Sequence, residues 1–343
     1  MAVGQDHNGP EGGHGAGPDR GREPPPQVCS LPQVAGIFIG LTTPRKLPNP
    51  ARLVGKVIVL DIAFASEGGG RRNSFEHTTL RFIEKLGPRL VRWVDHHDST
   101  FHRRFVDDER FVLATKAQHG ACPEMISPQL VEAVGSVDTI VCHNDFDGLA
   151  SAAKWLCGGH EPYPGCDADA RAIDTRIGEP GDFGRRFDRA LRARPRDADL
   201  GLAVLAHLAT QLTHGAPWAI IDQAAHELSA LEESARTLAS GYRSLTDELV
   251  CVDVTARDSP YDRTLLLLLG QRRATMAAVI DGDTTTFAAP FDSGINFVEC
   301  FGLSGGMPTL VSINRRKLAG ALTTLGVGAA AALEVAEPPS ARD

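Results

Sequence analysis

Long apolar segments and a signal peptide are both missing from this 343-residue sequence. The apolar run at residues 265–269 is far shorter than the roughly 18 residues that a membrane-spanning helix needs. The first 30 residues contain no apolar stretch of the kind that directs secretion. These absences argue against a membrane-spanning protein, and we expect a soluble, cytoplasmic protein that does not act at a membrane.

Cysteine is sparse and positive charge is in deficit. The seven cysteines are an odd number scattered along the chain, which argues against a disulfide framework and favours a reducing compartment. The chain has 35 Lys and Arg against 43 Asp and Glu, a formal net charge of −8. Long duplex DNA is therefore not expected as a partner, whereas a local basic cleft could still hold a phosphorylated ligand. The sequence leaves homodimer formation open.

The hydrophobic pattern predicts an α/β fold with a mostly parallel sheet flanked by helices. Hydrophobic residues make up 42% of the chain, which is enough to build real cores and excludes a wholly disordered protein. Short apolar runs rich in β-branched residues alternate with longer segments of helical period. The predicted strands are residues 34–41, 57–60, 90–94, 139–142, 249–254, 277–280, 285–288 and 309–313.

Composition and periodicity divide the chain into five segments. Residues 1–30 are rich in Gly, Pro and charge and are predicted to be a disordered tail. Residues 31–215 form the predicted first domain, and residues 248–318 form a smaller, mixed α/β domain. Between them, residues 216–247 carry apolar side chains at spacings of three and four, which predicts a linker helix. Residues 319–343 are a C-terminal segment and tail.

Acidic and histidine residues gather where three predicted strands of the first domain end. Because the carboxyl ends of parallel strands meet at one edge of a sheet, we expect these side chains to converge there. A single Asp after a strand commonly caps the next helix, as Asp147 could. A crowd of carboxylates with imidazole and no thiolate instead favours Mn²⁺ or Mg²⁺. The residues concerned are Asp61, Asp95, His96, His97, His143, Asp145 and Asp147.

These residues resemble the motifs of the DHH phosphoesterase superfamily. Residues 94–98, VDHHD, look like its Asp-His-His signature, and residues 143–152, HNDFDGLASA, are similar to its His-x-Asp-x-Asp-Gly-x-x-Ser-Ala motif. Asp61 matches the lone strand-end Asp of the second motif. Asp174, followed by Thr175, looks like the fourth motif. The segment after residue 248 resembles the DHH-associated C-terminal domain.

The order of the motifs departs from the family. The His-x-Asp-x-Asp motif comes first in the family, whereas here it follows Asp61 and the Asp-His-His triplet. We interpret this as a permutation of the first βα unit. The strand at 139–142 is therefore predicted to lie in the same sheet as the strands ending at Asp61 and Asp95, and parallel to them.

The resemblance implies a phosphoester hydrolase with two divalent ions, Mn²⁺ in preference to Mg²⁺. Two ions about 3.5–4 Å apart can activate a bridging water and neutralise charge on a phosphoryl group. Asp95 is implied to orient His96, and His97 is implied to face the substrate phosphate or the leaving group. The implied ligands are His143 and Asp145 for one ion, Asp147, His96 and Asp174 for the other, and Asp61 as the bridge.

The C-terminal domain is implied to close the cleft over the non-reacting part of the substrate. Gly305 and Gly306 resemble its Gly-rich turn, and Arg315 or Arg316 could pair with a phosphate. An ordinary tight turn explains the two glycines equally well. The implied substrate is a small phosphorylated molecule, a nucleotide or a short single-stranded oligonucleotide. A catalytically silent nucleotide- or metal-binding regulatory module is the alternative.

Overall fold

The first domain is built on one large sheet in the computed structural model, which describes residues 28–30, 36–66 and 74–337. Its strands are Val28–Ser30 (β1), Phe38–Thr42 (β2), Val57–Leu60 (β3), Leu90–Asp95 (β4), Asp98–Ser99 (β5), Phe111–Leu113 (β6) and Thr139–His143 (β7). All except β5 form a sheet of order β1-β2-β7-β3-β4-β6. Only β1 is antiparallel to its neighbour. Because β7 lies between β2 and β3 and parallel to both, the predicted placement of this strand in the same sheet is confirmed.

Helices cover both faces of this sheet, as the long apolar runs of its strands require. In β3, Ile58 and Leu60 face a core shared with the helices after β7, whereas Val57 and Val59 face a second core that contains Trp93. A π-helix, Glu76–Leu80, leads into the first α-helix. The helices are Arg81–Leu86 (α1), Pro128–Val134 (α2), Phe146–Leu156 (α3), Cys166–Thr175 (α4), Asp182–Ala193 (α5), Ala198–Ala209 (α6) and Ala216–Ala239 (α7), with 3₁₀ turns at Pro50–Arg52, Gly87–Arg89, His102–Arg104 and Cys122–Met125.

A second, mixed sheet follows α7. Its strands are Arg243–Ser244 (β8), Leu249–Asp253 (β9), Met276–Asp281 (β10), Thr284–Ala288 (β11) and Leu310–Asn314 (β13). A short strand outside this sheet, Gly305–Gly306 (β12), precedes β13. The sheet order is β13-β11-β10-β9-β8, with only β9 and β10 parallel. The remaining helices are Arg263–Gln271 (α8), Phe297–Cys300 (α9), Leu318–Thr324 (α10) and Ala329–Ala336 (α11), with a 3₁₀ turn at Arg315–Lys317.

The segment predicted as a linker helix contains α7, but this helix ends at Ala239 and not at residue 247. A turn and the strand β8 follow it, so Arg243 and Ser244 of the predicted linker segment already belong to the second sheet. Helix α7 packs against α5 of the first domain and α8 of the second. None of the described helices combines the length and apolarity needed to cross a bilayer.

The predicted tails lie largely outside the described residues. Val28–Ser30, predicted as the end of the N-terminal tail, instead pairs with β2 as strand β1. Residues 1–27 and 338–343 are not described. The six cysteines whose side chains are described form no disulfide.

Candidate metal centre

The register of three neighbouring strands brings the predicted ligands to one height at the carboxyl edge of the large sheet. Leu60 of β3 is paired with Val94 of β4 on one side and with Cys142 of β7 on the other. The residues that follow these three positions are therefore level with one another. The predicted ligand Asp174 joins them from the last turn of α4.

Three groups of side chains have donor atoms within 4.8 Å of one another. All six predicted metal ligands belong to these groups, so the strand ends assemble as the permutation requires. The first position is defined here by Asp61, His143 and Asp145, and the second position by His96, Asp147 and Asp174. The third group combines Asp61, His96 and His97.

The turn between β7 and α3 fixes two donors of the first position. His143 Nδ1 lies 2.6 Å from Asp145 Oδ2, and Asp145 Oδ1 caps α3 by accepting the N–H of Gly148 at 3.0 Å. A Cβ at position 148 would lie 2.5 Å from the carbonyl oxygen of His143, so only glycine lets the helix start this close to the strand. Asp147 is not the cap: its carboxylate accepts the N–H of Cys122.

Asp61 is a buried residue with a left-handed backbone conformation. Its φ of 55° lies in the left-handed region, its backbone N–H donates to Val94 O, and the residue is 2% exposed. Its Oδ1 has no hydrogen-bond partner among the described residues, and His96 Nε2 is 3.3 Å away. Burial and the negative charge of Asp147 raise the pKa of Asp61 well above its usual value. A bound cation would satisfy this oxygen and favour the ionised form.

The two histidines of the Asp-His-His triplet are held by different partners. His97 Nδ1 lies 2.8 Å from Asp95 Oδ1, whereas His96 Nδ1 lies 2.9 Å from the carbonyl oxygen of His119. The prediction that Asp95 orients His96 is therefore wrong. In an extended chain residues two apart point to the same side, so Asp95 reaches His97 and not His96. The two imidazole rings are nevertheless neighbours, with centroids 4.9 Å apart. His96 is fully buried, while the His97 side chain is 19% exposed.

A lysine that the sequence motifs did not indicate lies inside the second position. Lys116, in the turn after β6, is 2% exposed, and its Nζ is 2.8 Å from His96 Nε2 and donates to Asp174 Oδ2. Burial acts to lower the pKa of Lys116, but the charges of Asp174, Asp147 and Asp61 outweigh it and raise the pKa above its usual value. The side chain is a buried ammonium ion.

Protons and the ammonium ion neutralise the carboxylates of the cluster. Burial opposes charge on the imidazoles, yet Asp147 raises the pKa of His96 to about 11 and Asp145 raises that of His143 to about 9. Burial raises the pKa of Asp147 to about 6, against the effect of His96. Because imidazole binds metal as the neutral base, a bound cation would displace these protons.

The donor chemistry fits divalent cations. Both positions combine carboxylate oxygen with imidazole nitrogen and lack thiolate, a set that suits Mn²⁺ or Mg²⁺ better than structural zinc. Asp61 Oδ1 supports the same conclusion, because it is buried and has no hydrogen bond among the described residues. The two positions differ in that Lys116 Nζ lies against two ligands of the second position, His96 and Asp174.

The glycine pair predicted to bind substrate joins the two domains. Gly305 and Gly306 form β12 and pair with Ser99 and Asp98 of β5, directly after His97. A Cβ on Gly305 would lie 2.4 Å from the carbonyl oxygen of Asp98, so this close pairing requires glycine. The Gly-rich turn thus lies beside the Asp-His-His triplet.

The two candidate arginines lie in different environments. Arg315 is buried, forms an ion pair with Asp253 at 2.9 Å, and donates to Thr255 and to the carbonyl oxygens of Ala336 and Glu337. Its guanidinium hydrogen-bonds to partners within the second domain, which argues against the predicted phosphate contact. Arg316 is exposed.

Comparisons with known proteins give distant likenesses. No protein-family model and no curated protein matches the sequence. Among solved structures, the chain is similar to the pGpG-specific phosphodiesterase PggH from Vibrio cholerae, with 12% identity and a TM-score of 0.37 over 61% of this chain and 98% of that one. It is also similar to the exonuclease RecJ bound to manganese, with 13% identity and a TM-score of 0.40 over 81% of this chain and 75% of that one. Both belong to the DHH superfamily, which the motifs resemble. At these values neither likeness carries an argument about the activity of this chain.

Proposed function

We propose that this protein is a metal-dependent phosphoester hydrolase that acts on a small phosphorylated substrate, a nucleotide or a short single-stranded oligonucleotide. One observation carries the proposal. The predicted ligands come from four separate stretches of the chain in a permuted order, yet their donor atoms form clusters no wider than 4.8 Å. We place the reaction in the cytoplasm, because scattered unpaired cysteines are typical of a reducing compartment.

In this proposal two divalent cations, Mn²⁺ in preference to Mg²⁺, occupy the first and second positions, with Asp61 between them. Such ions activate water and neutralise charge on a phosphoryl group when they are bound. The contribution of the chain is to hold the ligands in place. Asp145 is fixed by its helix cap, Asp147 by the N–H of Cys122, and His96 by the carbonyl oxygen of His119.

His97 is the proposed proton-transfer residue. Its Nδ1 is bound to Asp95, which leaves Nε2 free for the substrate, and its side chain is partly exposed. Burial lowers the pKa of His97, and the charge and hydrogen bond of Asp95 oppose this effect. A pKa below the usual value lets His97 accept and return a proton at neutral pH. In this proposal the second domain, whose strand β12 pairs with β5 directly after His97, closes the cleft over the substrate.

The test is a turnover screen of the purified full chain with Mn²⁺. Dinucleotides, cyclic dinucleotides, bisphosphorylated nucleosides and pyrophosphate are offered in parallel, with Mg²⁺ and chelator arms. We expect hydrolysis of at least one class, lost on chelation and restored by Mn²⁺. An Asp145→Asn variant serves as a matched inactive control, because Asn can still cap α3 but cannot supply a carboxylate.

The alternative, a silent binding module, is favoured by one observation, the buried Lys116 inside the second position. It predicts that a nucleotide binds and is recovered intact. Equilibrium binding of the same compounds, followed by chromatography of the bound fraction, separates the two outcomes. Binding without product in the presence of Mn²⁺ would refute the hydrolase proposal.

A further inference from the structure

Lys116 lies where a metal ligand set is expected to hold its ion. Its Nζ lies 2.8 Å from His96 Nε2 and donates to Asp174 Oδ2, and these two atoms are 3.9 Å apart. The turn that carries it is tied to the end of the Asp-His-His motif, because the backbone N–H of Lys116 donates to Asp98 Oδ2 at 3.2 Å. The backbone of Lys116 is therefore held against the end of the Asp-His-His motif.

The ammonium ion and a second divalent ion compete for the same space. A transition metal lies about 2.0–2.2 Å from imidazole nitrogen and carboxylate oxygen, so an ion bound to His96 Nε2 and Asp174 Oδ2 would sit nearly midway between them. Because Nζ of Lys116 lies against the same two atoms, that ion would lie within about 2.5 Å of Nζ. Two cations cannot share this volume.

We propose that Lys116 is an internal competitor for the second metal ion, filling the second position until it is displaced. The inference rests on the metal centre of the proposed function and adds an order of loading to it. The first position contains no lysine and binds its ion while Lys116 is in place. The second position binds an ion only when the Lys116 side chain has moved away, so the two affinities are unequal.

The expected size of the effect follows from the population of the open state. If the displaced conformation of Lys116 is about 1% populated, the apparent dissociation constant of the second ion is raised about 100-fold. Removing the side chain removes this competition. We expect Lys116→Met to tighten the second ion by about 100-fold. The first ion should change less, because Lys116 Nζ lies against His96 and Asp174 of the second position.

The experiment is a calorimetric titration of the chelator-treated full chain with MnCl₂. The wild type is expected to show one strong ion and a second that binds at least tenfold more weakly, and Lys116→Met two strong ions. Lys154→Met is the matched control, because Lys154 is also a buried lysine, paired with Asp167 and with the carbonyl oxygen of Pro123 outside the metal centre. Both of its dissociation constants are expected to equal those of the wild type.

The outcomes separate this inference from the proposed function. Two ions of similar affinity in the wild type, or a second dissociation constant unchanged in Lys116→Met, would overturn the competition and leave the metal centre standing. The same unchanged result would assign Lys116 a purely structural role. Absence of Mn²⁺ binding in every variant would refute the metal centre and the inference together. If Lys116→Met does not fold, Lys116→Gln, which keeps a donor to Asp174 without the charge, gives the same readout.

Discussion

Replacing Asp61 by Asn is expected to have opposite effects on metal binding and on the stability of the metal-free protein. The substitution keeps the size of the side chain and removes its charge. Asn also tolerates the left-handed backbone at this residue, where φ is 55°. The variant should therefore fold, and its differences from the wild type should report on the carboxylate alone.

The loss of metal affinity can be estimated from the charge that is removed. Two opposite unit charges about 4 Å apart interact by about 4 kcal/mol at an effective dielectric constant of 20. At about 1.4 kcal/mol per tenfold, this corresponds to roughly 1,000-fold weaker binding. Asp61 belongs to the first position and shares the third donor group with His96, a ligand of the second position, so we expect the affinity for both ions to fall. Hydrolysis in saturating Mn²⁺ is expected to fall below a tenth of the wild-type rate.

The metal-free protein should respond in the other direction. Burial and the charge of Asp147 raise the pKa of Asp61 in the folded state, so its ionised form opposes folding at neutral pH. This cost appears as the pH rises above the ordinary Asp value of 3.8 and is absent below it. Metal-free Asp61→Asn is therefore expected to be more stable than the wild type at pH 7, with the difference fading towards pH 4.

Urea unfolding with and without Mn²⁺, together with calorimetry and activity, tests both halves. Asp169→Asn is the control: Asp169 is equally a buried carboxylate, but it accepts from Tyr163 and from the N–H groups of Gly181 and Gly184. That variant should lose stability and keep its metal. A loss of stability of metal-free Asp61→Asn would refute the argument from the buried charge, and retention of a tenth of the activity would refute the bridging role.

Three further predictions follow from individual residues. His96→Ala should lose metal, whereas His97→Ala should keep two ions and lose turnover; equal metal loss would contradict the division of roles. Gly305→Ala should speed amide exchange in β5, because its Cβ would lie 2.4 Å from a backbone oxygen there, while Gly320→Ala, with open space around it, should not. His207 is fully buried without a partner for either nitrogen among the described residues, and burial lowers its pKa. The stability of the wild type relative to His207→Leu, measured by urea unfolding, should therefore fall below pH 6.5, by up to about 1.4 kcal/mol at pH 5.5.

The main strands of both sheets were predictable because each combines a continuous apolar run with a clear end. The observed β3, β4 and β7 match the predicted runs to within one residue, and the acidic residues that end them made the edge of the sheet visible in the sequence. The short strands β1, β5, β6, β8 and β12 were not predicted. A run of two or three residues is too short to show a hydrophobic period, and such strands form only by pairing with distant partners.

The same reason explains why Lys116 was missed. It follows β6, a strand of three residues that is formed only by pairing with β4. Neither spacing nor a motif connects it with His96 or Asp174, which are 20 and 58 residues away along the chain. The orientation of the two histidines, in contrast, was available from the sequence. Alternation along an extended chain puts Asp95 and His97 on one side, and that rule alone would have corrected their assignment.

The permuted order of the motifs is compatible with an assembled site because a parallel sheet depends on register and not on chain order. Strand β7 enters the sheet last, yet it lies between β2 and β3. Its pairing of Cys142 with Leu60 makes it end level with β3, and the pairing of Leu60 with Val94 does the same for β4. A shift of β7 by one residue would turn His143 to the other face of the sheet. The requirement that the chain satisfies is therefore the alignment of three strand ends, and any connection that preserves this alignment can build the same cluster of ligands.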